Sequence, residues 1–168
     1  MTEGYNWYAL YVRSRYEFVT RDELVRKGID TYLPSVTRIS QWKDRKKYID
    51  FPLFPGYLFV CLPAHQEVFL TVLKTRGAVN LLSLQRGIPS VVPTEEIDSL
   101  KLLVGSGQDL DIYPSLQKGA QVRVTRGPLK GAFGKIEKSE EHYIFLVNID
   151  ILGRSVGVRM CADDVGLD

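Results

Sequence analysis

The chain has 168 residues, 45% hydrophobic and 25% charged, with a formal net charge of +2. That composition is ordinary for a soluble globular protein, and no apolar run reaches the roughly 20 residues a membrane-spanning helix needs. The charge is too small to hold nucleic acid tightly by itself, because that affinity grows with the number of phosphates neutralised.

The elements follow in chain order. Residues 1–6 lack the basic-then-apolar pattern of a secretory leader, so a cytoplasmic location is expected. Trp7 to Val12, aromatic and branched, reads as a strand. Glu17 to Lys27 reads as a helix stopped by Gly28. Thr31 to Arg38 is extended around Pro34. Gln41 to Lys47, with Trp42 at its edge, reads as the loop of a basic hairpin. Phe51-Pro52-Leu53-Phe54-Pro55-Gly56-Tyr57 then forms an aromatic corner. Its prolines bar a helix and Gly56 frees one backbone position for a turn, which delivers Tyr57 to Val60 into a strand. Aromatics held on so stiff a corner suit a docking surface. Gln66 to Lys74 reads as a second helix and Val79 to Leu84 as a short strand. Thr94 is placed as the N-cap of a third helix ending near Leu103, with Glu95 and Glu96 in its first turn.

Residues 105–115 are rich in glycine, acid and turn formers and read as a flexible linker. It separates a first domain, residues 1–104, from a second, residues 116–168. Lys/Arg and Asp/Glu number 14 and 11 up to residue 104, and 8 and 9 beyond it, so the basic excess lies in the first part. In the second part, alternation at Val122 and Val124 and again at Val156, Val158 and Met160, the turn Gly127 to Gly131 and the β-prone run Tyr143 to Leu152 predict a small β-barrel. The fold class is α+β: a sandwich with a mainly antiparallel sheet, a linker and a barrel.

Catalysis finds no constellation. His65 and His142 are the only histidines, and no glycine-rich phosphate loop follows a strand. Cys61 and Cys161 lack metal-type spacing and read as buried, inert thiols. No cofactor, metal or enzymatic activity is expected.

The order Trp7-Tyr8, Phe54-Pro55-Gly56-Tyr57, Arg76-Gly77, Val92-Pro93, then Gly119 to Val124 and Gly127 to Gly134, resembles the bacterial NusG family of transcription factors over roughly residues 7–165. The second part is similar to a KOW domain, an SH3-like barrel, and the short first part resembles the specialised RfaH and polysaccharide-operon antiterminator branch. The resemblance implies a monomer that binds the clamp helices of the large subunit of RNA polymerase, touches non-template and upstream DNA, and recruits a small-subunit ribosomal protein or Rho through the KOW domain. It places Tyr11, Phe54, Phe59, Leu84 and Ile97 in the polymerase site. Arg13, Arg26, Lys27, Thr75 and Arg76 fall against the non-template strand, with Arg15 as a neighbour, and Ile151 and Leu152 face the KOW partner. Glu23 stands where a further base would have helped sequence readout. Arg45, Lys46 and Lys47 on the hairpin tip suit the upstream DNA backbone. Ile151 and Leu152 are consecutive, so on a regular strand one of them would face outward. The rival reading is a general RNA-binding or ribosome-associated KOW protein.

Overall fold

A computed structural model describes residues 4–114, 119–139 and 142–160. Cys161, expected as a buried thiol, lies outside the described residues. The chain divides into two units, Met1–Val91 and Val92–Asp168.

The sheet of the first unit has the order β2 (Asp30–Tyr32), β5 (Tyr57–Pro63), β1 (Tyr5–Val12), β6 (Ala78–Leu81), and a two-residue strand, β7 (Val91–Val92), also pairs with β1. The pairs of β1 with β5 and β6, and of β2 with β5, are antiparallel. Period-two alternation gives this sheet two different faces. Tyr8, Leu10 and Val12 of β1 join Leu58, Val60 and Leu62 of β5 in one buried cluster. Leu24 of α1 (Glu17–Arg26) and Val72 of α2 (Gln66–Leu73) belong to the same cluster, so both helices lie on that face. Phe69 of α2 meets Tyr8 edge-on at 5.3 Å between ring centres. Trp7, Ala9 and Tyr11 alternate to the opposite face, beside their partners Cys61, Phe59 and Tyr57.

The aromatic corner is a type II turn. The Tyr57 N–H donates to the Phe54 carbonyl at 3.0 Å, Pro55 holds the second position and Gly56 the third, at φ +89°. Only a residue without a side chain takes that φ without strain. Before the corner, β3 (Ser35–Trp42) and β4 (Arg45–Pro52) form a separate two-stranded ribbon. The expected loop Gln41 to Lys47 shrinks to the two residues Lys43 and Asp44, because pairing continues to Trp42↔Arg45. Arg45, Lys46 and Lys47 are therefore strand residues, whose side chains alternate between two faces. The strand expected to reach Leu84 stops at Leu81.

In the second unit, β8 (Asp111–Pro114), β9 (Ala120–Arg123), β10 (Phe133–Ser139), β11 (His142–Ile149) and β12 (Arg154–Met160) make a five-stranded antiparallel sheet of order β8-β12-β11-β10-β9. Gly127 and Gly131 sit in the expected turn, at φ +84° and +93°. Two expectations are corrected here, the state of residues 111–114 and the cap of the third helix. Asp111–Pro114, placed in the linker, is a strand paired with β12. The helix α3 (Thr94–Gly105), placed in the first domain, packs on β10 and β11 and falls in the unit Val92–Asp168. Its N-cap is Pro93 and not Thr94, and no side chain caps it.

Ser99, Glu95 and Glu96 tie α3 to the sheet. The Phe133 N–H donates to Ser99 Oγ at 2.8 Å, Arg123 pairs with Glu95, and the Asp150 N–H donates to Glu96 Oε1 at 3.4 Å. Glu96 lines a cleft of about 430 Å³ with Pro93, Phe133, Lys135 and Asp150. Burial, and then the neighbouring Asp150 charge, raise its carboxyl from 4.5 to about 7. An acid with a raised pKa binds more protons folded than unfolded. The contribution of Glu96 to stability is therefore fullest below pH 4.5 and is lost as pH climbs through about 7. Thermal unfolding across this range should show that fall, and Glu96→Gln, which stays neutral, should flatten it.

Candidate functional site

Four elements converge on the turn Thr75-Arg76-Gly77. The Arg13 N–H donates to the Gly77 carbonyl at 2.8 Å, which ties the end of β1 to the turn. Thr20 Oγ1 donates to the Arg76 carbonyl at 2.7 Å, and the Arg76 N–H donates to Glu23 Oε2 at 3.2 Å, so α1 holds both backbone groups of Arg76. The Arg76 guanidinium lies over the Tyr16 ring at 5.7 Å. Lys27 Nζ donates to Thr75 Oγ1 at 2.9 Å and to the Thr71 carbonyl at 3.3 Å, where it satisfies a carbonyl near the C-terminus of α2.

This gathers the expected nucleic-acid residues and sorts them. Arg13, Arg26 and Arg76 are exposed, as is the neighbouring Arg15. Arg26 Nε donates to the Asp22 carbonyl at 3.3 Å. Thr75 is corrected: it is only 3% exposed, and its hydroxyl is used between Lys27 and the Thr71 carbonyl, so it frames the turn instead of facing a ligand. Arg45, Lys46 and Lys47 stand apart, on the β3–β4 ribbon.

Tyr16 and Thr20 carry no expected role, and Glu23 is expected only as an acid that weakens readout. Their spacing of four and then three residues puts them on one side of α1 and its first turn, a signal that was available. Glu23 does not oppose the cluster, because its carboxylate receives a backbone N–H of the turn.

The apolar candidates divide likewise. Tyr11 is 40% exposed and meets the half-buried Tyr57 at 5.4 Å between ring centres, on the face opposite α1 and α2. Leu84, in the loop after β6, is 84% exposed. Phe54, Phe59 and Ile97, expected in the polymerase site, are buried and present no surface to a partner. Phe59 sits on the central strand β5, opposite Ala9 and stacked on Tyr32. The backbone at Phe54 is folded in by the type II turn and by the Leu53 N–H bonded to the Pro34 carbonyl. Ile97 belongs to α3 in the second unit. Ile151 and Leu152 lie half-buried in a 3-10 turn after β11, so the outward-or-inward choice expected of a strand does not apply.

Among the described residues, no three His, Cys, Asp or Glu converge as metal ligands, and no helix is long and apolar enough to cross a membrane.

The NusG family profile, "Transcription termination factor nusG", matches residues 5–101, more than half of the chain. The chain belongs to the NusG family of transcription termination and antitermination factors. A termination/antitermination protein NusG of Lactococcus lactis subsp. lactis (strain IL1403) is 21% identical over 168 residues, covering 92% of this chain and 88% of that protein. The structure titled "Domain interaction in Thermotoga maritima NusG" aligns with a TM-score of 0.56 at 20% identity, covering 98% of both chains, which supports the NusG fold. An MjSpt4:Spt5 complex covers 96% of this chain and 95% of its own, but at a TM-score of 0.32 and 15% identity it bears no weight.

In this NusG-family chain the Arg76 turn leaves little room for change. Gly77 has φ +88°, and an added Cβ would collide with Thr20 Oγ1 and approach Tyr16 Cβ at 2.7 Å. Gly77→Ala should therefore destabilise the protein by about 1–3 kcal/mol, measured by urea unfolding; an unchanged midpoint would mean that the turn is not held as described.

Proposed function

We propose that this chain is a transcription elongation and antitermination factor that docks on the clamp helices of RNA polymerase. The observation that carries this reading is the second face of the β1–β5 sheet. That face is buried at Trp7, Ala9 and Phe59, and only where it ends is the Tyr11–Tyr57 ring pair presented, beside a proline-stiffened corner. A pair of amphipathic helices laid on an aromatic surface is a recurrent recognition mode. Leu84 extends the surface. Phe54 and Phe59 support it from beneath, and Ile97 drops out of the docking set.

Arg13, Arg26 and Arg76, with Arg15 beside them, contact the exposed non-template strand, where arginine serves both phosphate pairing and base stacking. Lys27 and Thr75 hold the turn in place. The β3–β4 ribbon reaches the upstream DNA. The second unit acts as a KOW domain, with Ile151 and Leu152 offering apolar surface to a further partner, a small-subunit ribosomal protein or Rho. The short first unit suits a specialised, RfaH-like paralog working in the cytoplasm.

Tyr11→Ala should weaken binding to purified core polymerase by about 2 kcal/mol, the scale of an interface aromatic. Unchanged affinity in a titration would remove the docking proposal. Replacing Arg13 and Arg76 together with alanine should leave polymerase binding intact while abolishing the effect on transcription through a pause site, read from run-off gels.

A further inference from the structure

The register of the β3–β4 ribbon sorts its side chains in a way that residue order alone does not reveal. Trp42↔Arg45, Ser40↔Lys47, Arg38↔Ile49 and Val36↔Phe51 are cross-strand pairs two residues apart and share one face. Gln41↔Lys46, Ile39↔Tyr48 and Thr37↔Asp50 share the other. One face therefore carries Trp42, Arg45, Lys47 and Arg38 and no acid. The opposite face carries one cation, Lys46, and the acid Asp50, whose carboxylate accepts the Thr37 hydroxyl at 2.5 Å. Trp42 is 69% exposed. Among the described residues, no ion pair or hydrogen bond engages the side chains of Arg38, Arg45 or Lys47.

An exposed indole costs free energy in water unless something covers it. Three cations in successive rows, with rows about 6.8 Å apart, follow the track of an extended polyanion. A charged stripe that follows a backbone, combined with an aromatic on which a base can stack, is the recognition chemistry of single-stranded nucleic acid. Duplex DNA keeps its bases stacked inside and would leave Trp42 idle.

We infer that the Trp42 face of the ribbon binds an unpaired nucleic-acid segment, with an exposed base stacked on the indole and phosphates on Arg45, Lys47 and Arg38. This refines the upstream-DNA part of the proposed function: the ribbon engages unpaired bases where strands separate. It is tested without polymerase, so the two readings can fail separately.

The full chain is titrated into fluorescein-labelled oligo-dT of about twelve nucleotides, oligo-rU of the same length and a blunt duplex of equal length, and anisotropy is followed. Both single strands should bind at least fivefold more tightly than the duplex. In unlabelled titrations the tryptophan emission should be quenched, since Trp7 is only 6% exposed and Trp42 faces solvent. Trp42→Ala should weaken single-strand binding roughly tenfold, and Trp42→Phe should recover most of the loss. Lys47→Ala should lower the slope of log affinity against log salt by about 0.7, whereas Lys46→Ala, on the other face, should change it less. Equal affinity for duplex, wild-type affinity in Trp42→Ala, or equal effects of Lys46→Ala and Lys47→Ala would each overturn the inference. Loss of polymerase binding in Tyr11→Ala bears only on docking.

Discussion

The antiparallel register of β1 on β5 is the constraint from which the first unit follows. An unbroken ladder from Tyr5↔Pro63 to Tyr11↔Tyr57 joins the two strands. It sends Tyr8, Leu10 and Val12 under the helices and leaves Trp7, Ala9 and Tyr11 on the other side. A slip of one residue would exchange the faces, burying tyrosines where leucines belong. The type II turn at Phe54–Tyr57 holds the register by fixing where β5 starts, and the Val12 N–H bonded to the Gly56 carbonyl at 2.8 Å closes the strand end. A Cβ on Gly56 would lie 3.3 Å from the Tyr11 ring, so the glycine also lets that ring rest against the corner. The same residue serves the turn and the candidate docking surface.

The Arg76 turn shows how a basic site gains precision from groups that are not basic. Glu23, Thr20 and the backbone of Arg13 take up its peptide groups, and Tyr16 supports the guanidinium. Held at so many points, the backbone that carries this side chain is already ordered before any ligand arrives. Lys27 and Thr75 serve the frame, while the side chains of Arg13 and Arg76 stay exposed. Position in the sequence cannot separate these roles, because all four residues belong to the same neighbourhood.

The second unit depends on close approach. A Cβ on Gly134 would strike the Leu146 carbonyl, and one on Gly157 would come within 2.6 Å of the Tyr113 ring and 2.9 Å of Leu146. Glycine is what permits these strands to pack so tightly. Against this sheet α3 docks through side chains at its N-terminal end, where Glu95 finds Arg123 and Glu96 shares the environment of Asp150.

Local chemistry made much of this protein legible from its residues. Alternation marked the strands, glycine marked the end of α1 and the turns of the second unit, and Phe54-Pro55-Gly56-Tyr57 announced a corner. These depend on backbone sterics and on which face a residue can bury, and neighbours in the chain suffice to express them. Exposure was another matter. Phe54 and Phe59 look like surface aromatics until the central place of β5 and the inward fold of the corner are known. Arg45, Lys46 and Lys47 read as one basic cluster until pairing through Trp42↔Arg45 separates Lys46 from the other two. Ile97 and the helix that bears it changed units because Ser99, Glu95 and Glu96 find their partners near 30 to 50 residues later in the chain. Burial and partnership at that range depend on how distant segments meet in space, which no local pattern encodes.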